Sequence, residues 1–342
     1  MTGIVILNKE KLESLESISS LTNKPISMNQ LKENRPESLE GGSSGRNSNY
    51  EDPNKDFTKS DTKLFSKVSE TKPESQSTRG ILSELQKERQ LEDVYYAKFD
   101  NPSTDQIVRV IGPDDREIVT DTSQYPNSCI CKLYITPKVG DKRYIGTGVY
   151  IGPNCVLTAA HCVYLHNKGG WAKQIEVVPG LNIEPNRPFG STKSNDFYCP
   201  NLYLEKQTDA ERQPYDFAAI ITPRAFGDEN VGYIGFSSLT DQEFENLLIT
   251  ICGYSGDIPK TAPGEAQSKD TKEIESTTNK LIIYKLDTEG GGSGSPVIYQ
   301  RNNKVYACGI HNIGGNSFNS GTRITDSIHA KIKEWKNLQP SS

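Results

Sequence analysis

Three residue types that together support nucleophilic catalysis occur in three short motifs of this 342-residue chain. His161 ends the run V-L-T-A-A-H, Asp216 stands directly before the apolar run F-A-A-I-I, and Ser293 lies within the glycine-rich stretch G-G-S-G-S-P-V. A serine hydroxyl is a weak nucleophile near neutral pH, so it needs a base within hydrogen-bond reach and a third group that orients this base. The motifs therefore predict that Ser293 attacks a carbonyl, that His161 takes its proton and that Asp216 orients the imidazole.

The glycines around Ser293 predict where the negative charge of such a reaction would be stabilised. Glycine lets the backbone approach a substrate closely, so the N–H groups of Gly291 and Ser293 are the candidates for an oxyanion hole. Each motif alone has a structural explanation: a histidine after a strand, an aspartate at a turn, a glycine-rich loop. In the order His, Asp, Ser, which is that of the chymotrypsin-type peptidases, they indicate a serine endopeptidase.

The elements that must position these residues are short strands. From about residue 107 onward, apolar runs alternate with turns rich in Gly, Pro, Asn and Asp, a pattern typical of an all-β sandwich or barrel. The predicted strands cover 130–135, 149–151, 156–158, 217–221, 247–251, 281–286 and 297–299. Over 325–338, Ile328, Ile332 and Trp335 recur at helical spacing and predict a C-terminal helix. Residues 110–342 are therefore predicted to form one β-rich peptidase domain.

The first 109 residues have a different composition. Residues 1–109 are rich in Ser, Glu, Lys and Asn, and 41–78 hold too few apolar residues to bury a core, which predicts a largely disordered region. Near 80–97 apolar residues recur at roughly helical spacing. This segment is expected either to dock on the domain as a helical prosegment or to form a transient helix in a tail.

Composition argues against several classes of partner. The formal net charge is -5 and basic residues form no patch, so no nucleic acid is expected. No segment approaches the roughly 20 apolar residues of a transmembrane helix, so no membrane partner is expected. The apolar run 3–7 is too short for the core of a signal peptide, and no basic residue precedes it. No secretory signal is thus recognised, and the compartment stays unknown.

The seven cysteines match no zinc-binding spacing, and no acidic loop has the spacing of a calcium site. The predicted chemistry needs neither a metal nor a cofactor. We favour free thiols in a reducing compartment, with a few disulfides as the alternative.

Several further blocks, in register with the triad, resemble the bacterial glutamyl endopeptidases, chymotrypsin-fold serine peptidases that cleave after glutamate. The resemblance runs from Val110 to about Leu338. Its blocks are V-I-G-P-D-D-R (110–116), T-D-T-S-Q-Y-P (120–126), V-P-G (178–180), G-Y-S-G-D (253–257), D-T (287–288) and G-T-R-I (321–324).

The resemblance implies two six-stranded β-barrels with the triad in the cleft between them and polypeptides as substrates. It also implies that a histidine and a threonine bind the substrate glutamate, and these positions match His311 and Thr288. In some members the α-amino group of the mature N-terminus helps, and Val110 would supply it after a cut behind Arg109. A glutamate-specific enzyme would not make that cut itself, so we expect a zymogen, a separate activating protease and a monomeric product. Family members are secreted.

The chain departs from the family pattern at three positions. Cys162 follows the catalytic histidine as in many chymotrypsin-fold enzymes, but Gly146 stands where its disulfide partner would be. Gly292 precedes the serine, so the carboxylate of the trypsin-type activation switch is missing. Glu289 places a negative charge beside the pocket that would bind glutamate.

Three alternatives follow from the same residues. Asp287 has the spacing to Ser293 at which trypsin-like enzymes bind Arg or Lys, whereas His311 favours glutamate because an imidazole can pair with a carboxylate. A chain on a peptidase fold could also be a non-catalytic binding protein that uses its polar N-terminal region. Residues 1–109 could, finally, hold the enzyme latent.

Overall fold

The computed structural model describes residues 110–183, 187–228, 230–259, 264–315 and 317–340, together with the backbone of three short strands nearer the N-terminus. The disorder predicted for 41–78 lies outside the described residues. So does the helix predicted near 80–97, except at Tyr95–Tyr96, where the prediction was wrong. These two residues are extended because their backbone pairs with a neighbouring strand edge.

The first of two large sheets carries the histidine and aspartate motifs. Neighbouring strands in it are antiparallel except for β3, which pairs with β6 in parallel. In order across the sheet the strands are β11 (Thr192–Ser194), β10 (Gln174–Pro179), β5 (Ile130–Thr136), β6 (Tyr144–Tyr150), β7 (Cys155–Thr158), β13 (Ala218–Ile221), β12 (Asp196–Pro200), β1 (Ser17–Ser19) and β2 (Pro25–Ile26), with β3 (Tyr95–Tyr96) beside β6.

The second sheet carries the serine motif. Its pairings are antiparallel except for β14, which pairs with β20 in parallel. Across the sheet the strands are β17 (Ser276–Thr277), β18 (Leu281–Tyr284), β21 (Asn319–Arg323), β20 (Lys304–Gly314), β19 (Pro296–Arg301), β15 (Leu248–Gly253), β16 (Ser268–Glu273) and β4 (Glu117–Ile118), with β14 (Gly235–Phe236) beside β20. A separate hairpin joins β8 (Tyr164–Leu165) to β9 (Gly170–Trp171).

The two sheets curl into the double-barrel arrangement that the resemblance implied, and the predicted all-β fold class is confirmed. The described ladders hold ten and nine strands rather than six each, because short strands and the N-terminal pieces extend their edges. One buried apolar cluster fills the first sheet and reaches the C-terminal helix, and a smaller cluster lies within the second sheet.

The described helices are short apart from the last one. They are α1 (Ala160–Val163), α2 (Asn201–Glu205), α3 (Asp209–Arg212), α4 (Asp241–Phe244) and α5 (Asp326–Lys336). The hydroxyl of Thr325 accepts a hydrogen bond from the Ile328 N–H and caps α5. The face predicted from the sequence is buried, and the Trp335 ring lies 5.4 Å from the ring of Phe217, centroid to centroid. The helix therefore packs against the residue that follows Asp216. None of these helices has the length and apolar character that a membrane span requires.

Candidate active site

Adjacent strands bring His161 and Asp216 to the same end of the first sheet. Strands β7 and β13 pair with Thr158 opposite Ala218, so the chain leaving β7 enters α1 beside the chain that enters β13. The imidazole Nδ1 of His161 lies 2.7 Å from Oδ2 of Asp216. The backbone N–H of His161 donates to Oδ1 of the same carboxylate at 2.9 Å. Both carboxylate oxygens of Asp216 thus contact the histidine.

Burial and charge act in opposite directions on this pair. Both side chains are buried. Burial lowers the pKa of His161, but the negative charge of Asp216 acts against it, and the net pKa lies well above the ordinary value for histidine. An imidazole held this way at Nδ1 presents Nε2 to a nucleophile and is stabilised as a cation once it takes a proton.

A tight turn holds Ser293 against α1, the helix that carries His161. The N–H of Gly294 donates to the carbonyl of His311 at 2.8 Å, and the N–H of Ser295 donates to the carbonyl of Gly292 at 3.0 Å. Gly294 has a φ of +86°, and a Cβ there would collide with neighbouring backbone, so this position requires glycine. Sγ of Cys162, the residue after His161, lies 3.7 Å from the Ser293 carbonyl. The turn therefore seats the buried serine against the helix that carries the histidine.

Gly291 is the second residue predicted to donate to an oxyanion. Its φ of +98° is in the region that favours glycine. None of the described residues accepts a hydrogen bond from the Gly291 N–H. Such a group can donate to a substrate oxygen.

The predicted pocket residues His311 and Thr288 are both buried and lie beside the catalytic turn. The imidazole Nδ1 of His311 lies 2.8 Å from the Tyr284 hydroxyl. The Nε2 of His311 and the Oγ1 of Thr288 are buried atoms without a hydrogen-bond partner among the described residues. A Cβ at Gly292 would lie 3.9 Å from Cδ2 of His311. Two polar atoms near Ser293 are therefore available to a ligand.

The His311 side chain is neutral at physiological pH. Burial lowers its pKa to about 3, and the nearby positive charge of His161 acts in the same direction. A neutral imidazole has one donor and one acceptor nitrogen, and the bond at one nitrogen selects the other's role. When the Tyr284 hydroxyl donates to Nδ1, Nε2 carries the proton and becomes a donor.

Asp287 has a different set of partners from the one that the trypsin-like alternative requires. Its Oδ1 accepts from the Ile111 N–H at 2.7 Å, and its Oδ2 accepts from the Asp115 N–H at 2.9 Å. The Lys272 ammonium lies 3.5 Å from Oδ2. This buried carboxylate thus holds the segment 111–115, which follows Val110. Nearby, the Glu289 carboxylate accepts from the Gly290 N–H at 3.1 Å.

Arg116 anchors the same N-terminal segment on its other side. Its guanidinium forms two hydrogen bonds to Asp257, at 2.8 and 2.6 Å, and two to Asp114, at 2.8 and 2.7 Å. Burial lowers the pKa of Arg116, but these two carboxylates outweigh it and raise the pKa. Val110 is half-buried and stands directly before this segment. The start of the domain is therefore fixed next to Asp287 and the predicted pocket residue Thr288.

Sequence reasoning missed two residues of this site. Tyr284 occurs in the apolar run L-I-I-Y, which has the pattern of a core strand and gives no hint of a contact with His311. Asn312 donates from Nδ2 to the Thr322 hydroxyl at 2.6 Å and to the Gln213 carbonyl at 3.3 Å. The Gln213 carbonyl also accepts from the Asp216 N–H at 3.2 Å, so Asn312 supports the backbone that carries Asp216.

All seven cysteines lie in the described part of the chain, and all are free and buried. A Cβ at Gly146 would lie 3.0 Å from Sγ of Cys162, so the thiol fills the space where a disulfide partner would stand. No group of three or more His, Cys, Asp or Glu side chains within the described residues could hold a metal ion.

Comparisons with known proteins agree with this geometry. Residues 118–336 match the family described as trypsin. A glutamyl endopeptidase of Bacillus licheniformis is 38% identical over 239 residues, which are 68% of this chain and 70% of that protein. A Bacillus subtilis protein named extracellular metalloprotease is 33% identical over 239 residues, 69% of this chain and 72% of that protein. A solved structure of a Glu endopeptidase in complex with MPD has a TM-score of 0.58 and 30% identity, covering 67% of this chain and 100% of that one.

Proposed function

Because the chain belongs to the trypsin family and is a serine protease, we propose that Ser293, His161 and Asp216 cleave peptide bonds on the C-terminal side of glutamate residues. His161 accepts the proton of the Ser293 hydroxyl as its oxygen attacks the scissile carbonyl, and then gives this proton to the leaving amine. Water hydrolyses the acyl-enzyme by the same route in reverse. Asp216 holds the imidazole throughout and stabilises its cation.

The N–H groups of Gly291 and Ser293 bind the oxyanion of the tetrahedral intermediate. The loss of one such donor typically costs about 3 kcal/mol of transition-state stabilisation. The positive φ of Gly291 and the absence of a described acceptor for its N–H support this role.

The observation that carries the preference for glutamate is the pair of buried polar atoms without partners, Nε2 of His311 and Oγ1 of Thr288. Buried polar groups are nearly always hydrogen-bonded, so two such atoms beside the catalytic turn indicate the place of a polar substrate group. Both can donate, the imidazole when the Tyr284 hydroxyl donates to its Nδ1. A carboxylate, which only accepts, matches two donors.

The alternative preference for Arg or Lys relies on Asp287, and the contacts of Asp287 speak against it. Both of its oxygens accept backbone N–H groups, and the Lys272 ammonium, which also pairs with Asp115 and Asp270, lies 3.5 Å from Oδ2. A substrate cation would have to displace these groups. The neutral partners at His311 and Thr288 offer no charge to a cation in exchange.

Latency of the uncut chain is part of the proposal. Strand β3 pairs with β6 at Tyr95↔Tyr144 and Tyr96↔Ile145. The next residue of β6 is Gly146, where a Cβ would lie 3.5 Å from the Ser293 carbonyl. Tyr95–Tyr96 therefore occupy a strand edge one residue away from Gly146, the neighbour of Ser293. A separate protease that cleaves after Arg109 would free this edge and give Val110 an α-amino group near the substrate carboxylate.

The experiment is a cleavage-site profile on a mixed peptide library. It compares the protein that begins at Val110 (the Val110-start form), the full chain and the Ser293→Ala variant. We expect cuts behind glutamate that vanish in Ser293→Ala and are weaker in the full chain. His311→Ala should remove the preference for glutamate over glutamine, whereas His166→Ala, a histidine of the turn 166–168, should not. Unchanged glutamate cleavage by His311→Ala would contradict the pocket assignment, and cuts behind Arg or Lys would restore the alternative.

A serine-reactive fluorophosphonate probe separates an enzyme from a binding protein on the same fold. The contacts between His161 and Asp216 support an active nucleophile. We expect the probe to label the Val110-start form but not its Ser293→Ala variant. Folded protein that resists labelling would favour the binding protein.

A further inference from the structure

One residue of the first sheet holds both halves of the turn that contains Ser293. The hydroxyl of Thr147, on β6, donates to the carbonyl of Gly291 at 2.9 Å. The backbone N–H of Thr147 donates to the carbonyl of Ser293 at 2.8 Å. Thr147 is fully buried, and its hydroxyl also accepts from the Tyr254 N–H at 3.0 Å. Thr147 thus contacts the carbonyls of the two residues whose N–H groups face the reaction.

Hydrogen bonds on both sides of Gly291 fix the direction of its N–H, which belongs to the peptide between Gly290 and Gly291. The Gly291 carbonyl, held by Thr147, and the Gly292 N–H, which donates to the Glu289 carbonyl at 2.9 Å, orient the peptide that follows Gly291. The Gly290 carbonyl accepts from the Gly256 N–H at 2.6 Å and orients the peptide before it. Because a peptide group is planar and trans, its N–H points opposite to its carbonyl.

A turn of three glycines needs such external support. Glycine accepts a wide range of backbone angles, so the sequence of residues 290–292 does not itself select one orientation of these peptides. No side chain in this run can hold the turn, since it contains only glycines. The hydroxyl of Thr147 is the one described side-chain group that binds the Gly291 carbonyl.

Thr147 is itself rigidly placed. Its carbonyl accepts from the Thr158 hydroxyl on β7 at 2.7 Å. Its backbone lies within β6, where it pairs with Lys132 of β5. Gly294 packs so closely that a Cβ there would collide with the Thr147 carbonyl. The catalytic turn is therefore braced against the first sheet and not against a mobile side chain.

We propose that Thr147 is a positioning residue of the oxyanion hole. Its hydroxyl fixes the peptide after Gly291, which limits rotation at Gly291 and keeps the preceding peptide, held by the Gly256 N–H, with its own N–H aimed at the reacting carbonyl. The inference rests on the oxyanion role proposed above for Gly291 and Ser293. Because Thr147 is fully buried, we expect its hydroxyl to affect the transition state, where the oxyanion forms, and not the binding of the ground state.

The test measures kcat and KM of Thr147→Val, Thr147→Ser and Ser293→Ala on a peptide that the wild-type protein cleaves. Valine has the shape of threonine without its hydroxyl, whereas serine keeps the hydroxyl. We expect Thr147→Val to lower kcat by roughly 10- to 100-fold with KM within about 2-fold, and Thr147→Ser to recover most of kcat. Thr222→Val is the matched control, because it removes another buried hydroxyl that bonds backbone carbonyls away from the site.

Two results for Thr147→Val would overturn the inference. A wild-type kcat in folded Thr147→Val overturns the inference, and so does an equal loss of kcat in Thr222→Val, which would show a general effect of stability. If Thr147→Val does not fold, the comparison of Thr147→Ala with Thr147→Ser isolates the hydroxyl, and equal kcat values overturn the inference. Activity that survives Ser293→Ala would instead refute the proposed catalytic site.

Discussion

Lys132 lies in the first sheet with its ammonium group removed from water, and its titration should be visible in the stability of the protein. Lys132 is 1% exposed to solvent. Nζ donates to the Gly264 carbonyl at 2.7 Å and lies 5.6 Å from the centre of the Tyr254 ring. Burial lowers the pKa of Lys132 to about 7, although the charge of Glu265 acts in the opposite direction.

The size of the effect follows from the pKa. The ordinary value is 10.5, so the shift to about 7 is 10.5 − 7 = 3.5 units, which corresponds to about 5 kcal/mol. Between pH 7 and 10.5 the unfolded chain holds a proton on Lys132 that the folded chain has released. The free energy of unfolding should therefore rise with pH in this window, by about 1.4 kcal/mol per unit from this group, and lose this slope below pH 7.

Lys132→Met removes the titration and leaves a side chain of similar length. It also leaves the Gly264 carbonyl without its partner, which costs about 1–3 kcal/mol. We expect the variant to be more stable than its parent at pH 6 by a few kcal/mol, since it avoids burying a cation. At pH 10 it should be less stable, because the parent lysine is neutral in the folded state and keeps its hydrogen bond.

The assay is urea unfolding between pH 6 and 10, with Ser293→Ala as the parent so that self-digestion does not interfere. The difference between Lys132→Met and this parent cancels the contributions of other titrating groups. Lys331→Met, whose ammonium pairs with Glu334 at 2.7 Å, controls for the removal of a positive charge. A Lys132→Met difference that does not change with pH would refute the reasoning, because it would mean that Lys132 titrates alike in both states.

Three shorter predictions concern charge and thiols. Burial lowers the pKa of His161, but the charge of Asp216 outweighs this effect and raises it. Asp216→Asn should therefore move the acid limb of the pH profile of kcat/KM to lower pH and reduce kcat by roughly 10⁴-fold. An acid limb at the wild-type pH would contradict this. Asp287→Asn should weaken folding by about 1–3 kcal/mol without changing the ratio of Glu to Arg cleavage, as peptide profiling would show. All seven thiols are buried, so Ellman's reagent should label none in the folded protein and seven in denaturant; rapid labelling under native conditions would contradict the structure.

Local sequence patterns were sufficient to predict the elements that carry the site. The apolar run 130–135 lies within β5, 217–221 overlaps β13, and the helical spacing of Ile328, Ile332 and Trp335 matches the buried face of α5. These predictions succeed because burial on one face of a strand or helix imposes a period on the sequence. His161 and Asp216 come into contact because the motif that contains His161 follows β7 and the motif that contains Asp216 precedes β13, its partner strand.

Contacts between distant segments could not be predicted in this way. Asp287 was open to a role as the acid that binds Arg or Lys because its spacing to Ser293 is local, whereas its partners Ile111 and Asp115 come from the start of the domain. Tyr284 meets His311 only because β21 lies between β18 and β20 in the second sheet. No periodicity in the sequence records which strands become neighbours across a sheet.

The proposed pocket residue His311 and the turn that contains Ser293 belong to one hydrogen-bonded unit, which bears on how specificity and rate would be connected. The Gly294 N–H donates to the His311 carbonyl, and the His311 N–H donates to the Ser295 carbonyl, each at 2.8 Å. The residues on the C-terminal side of Ser293 are thus fixed to the backbone of the histidine proposed to bind glutamate. If a substrate carboxylate binds the His311 ring as proposed, this pairing holds it at a set distance from the Ser293 hydroxyl, so binding energy from the glutamate side chain would orient the scissile bond. Gly292 has no carboxylate that could form an ion pair and stiffen the turn. The rigidity of the turn must therefore come from its backbone pairing with His311 on one side and from the hydrogen bonds to Thr147 on the other.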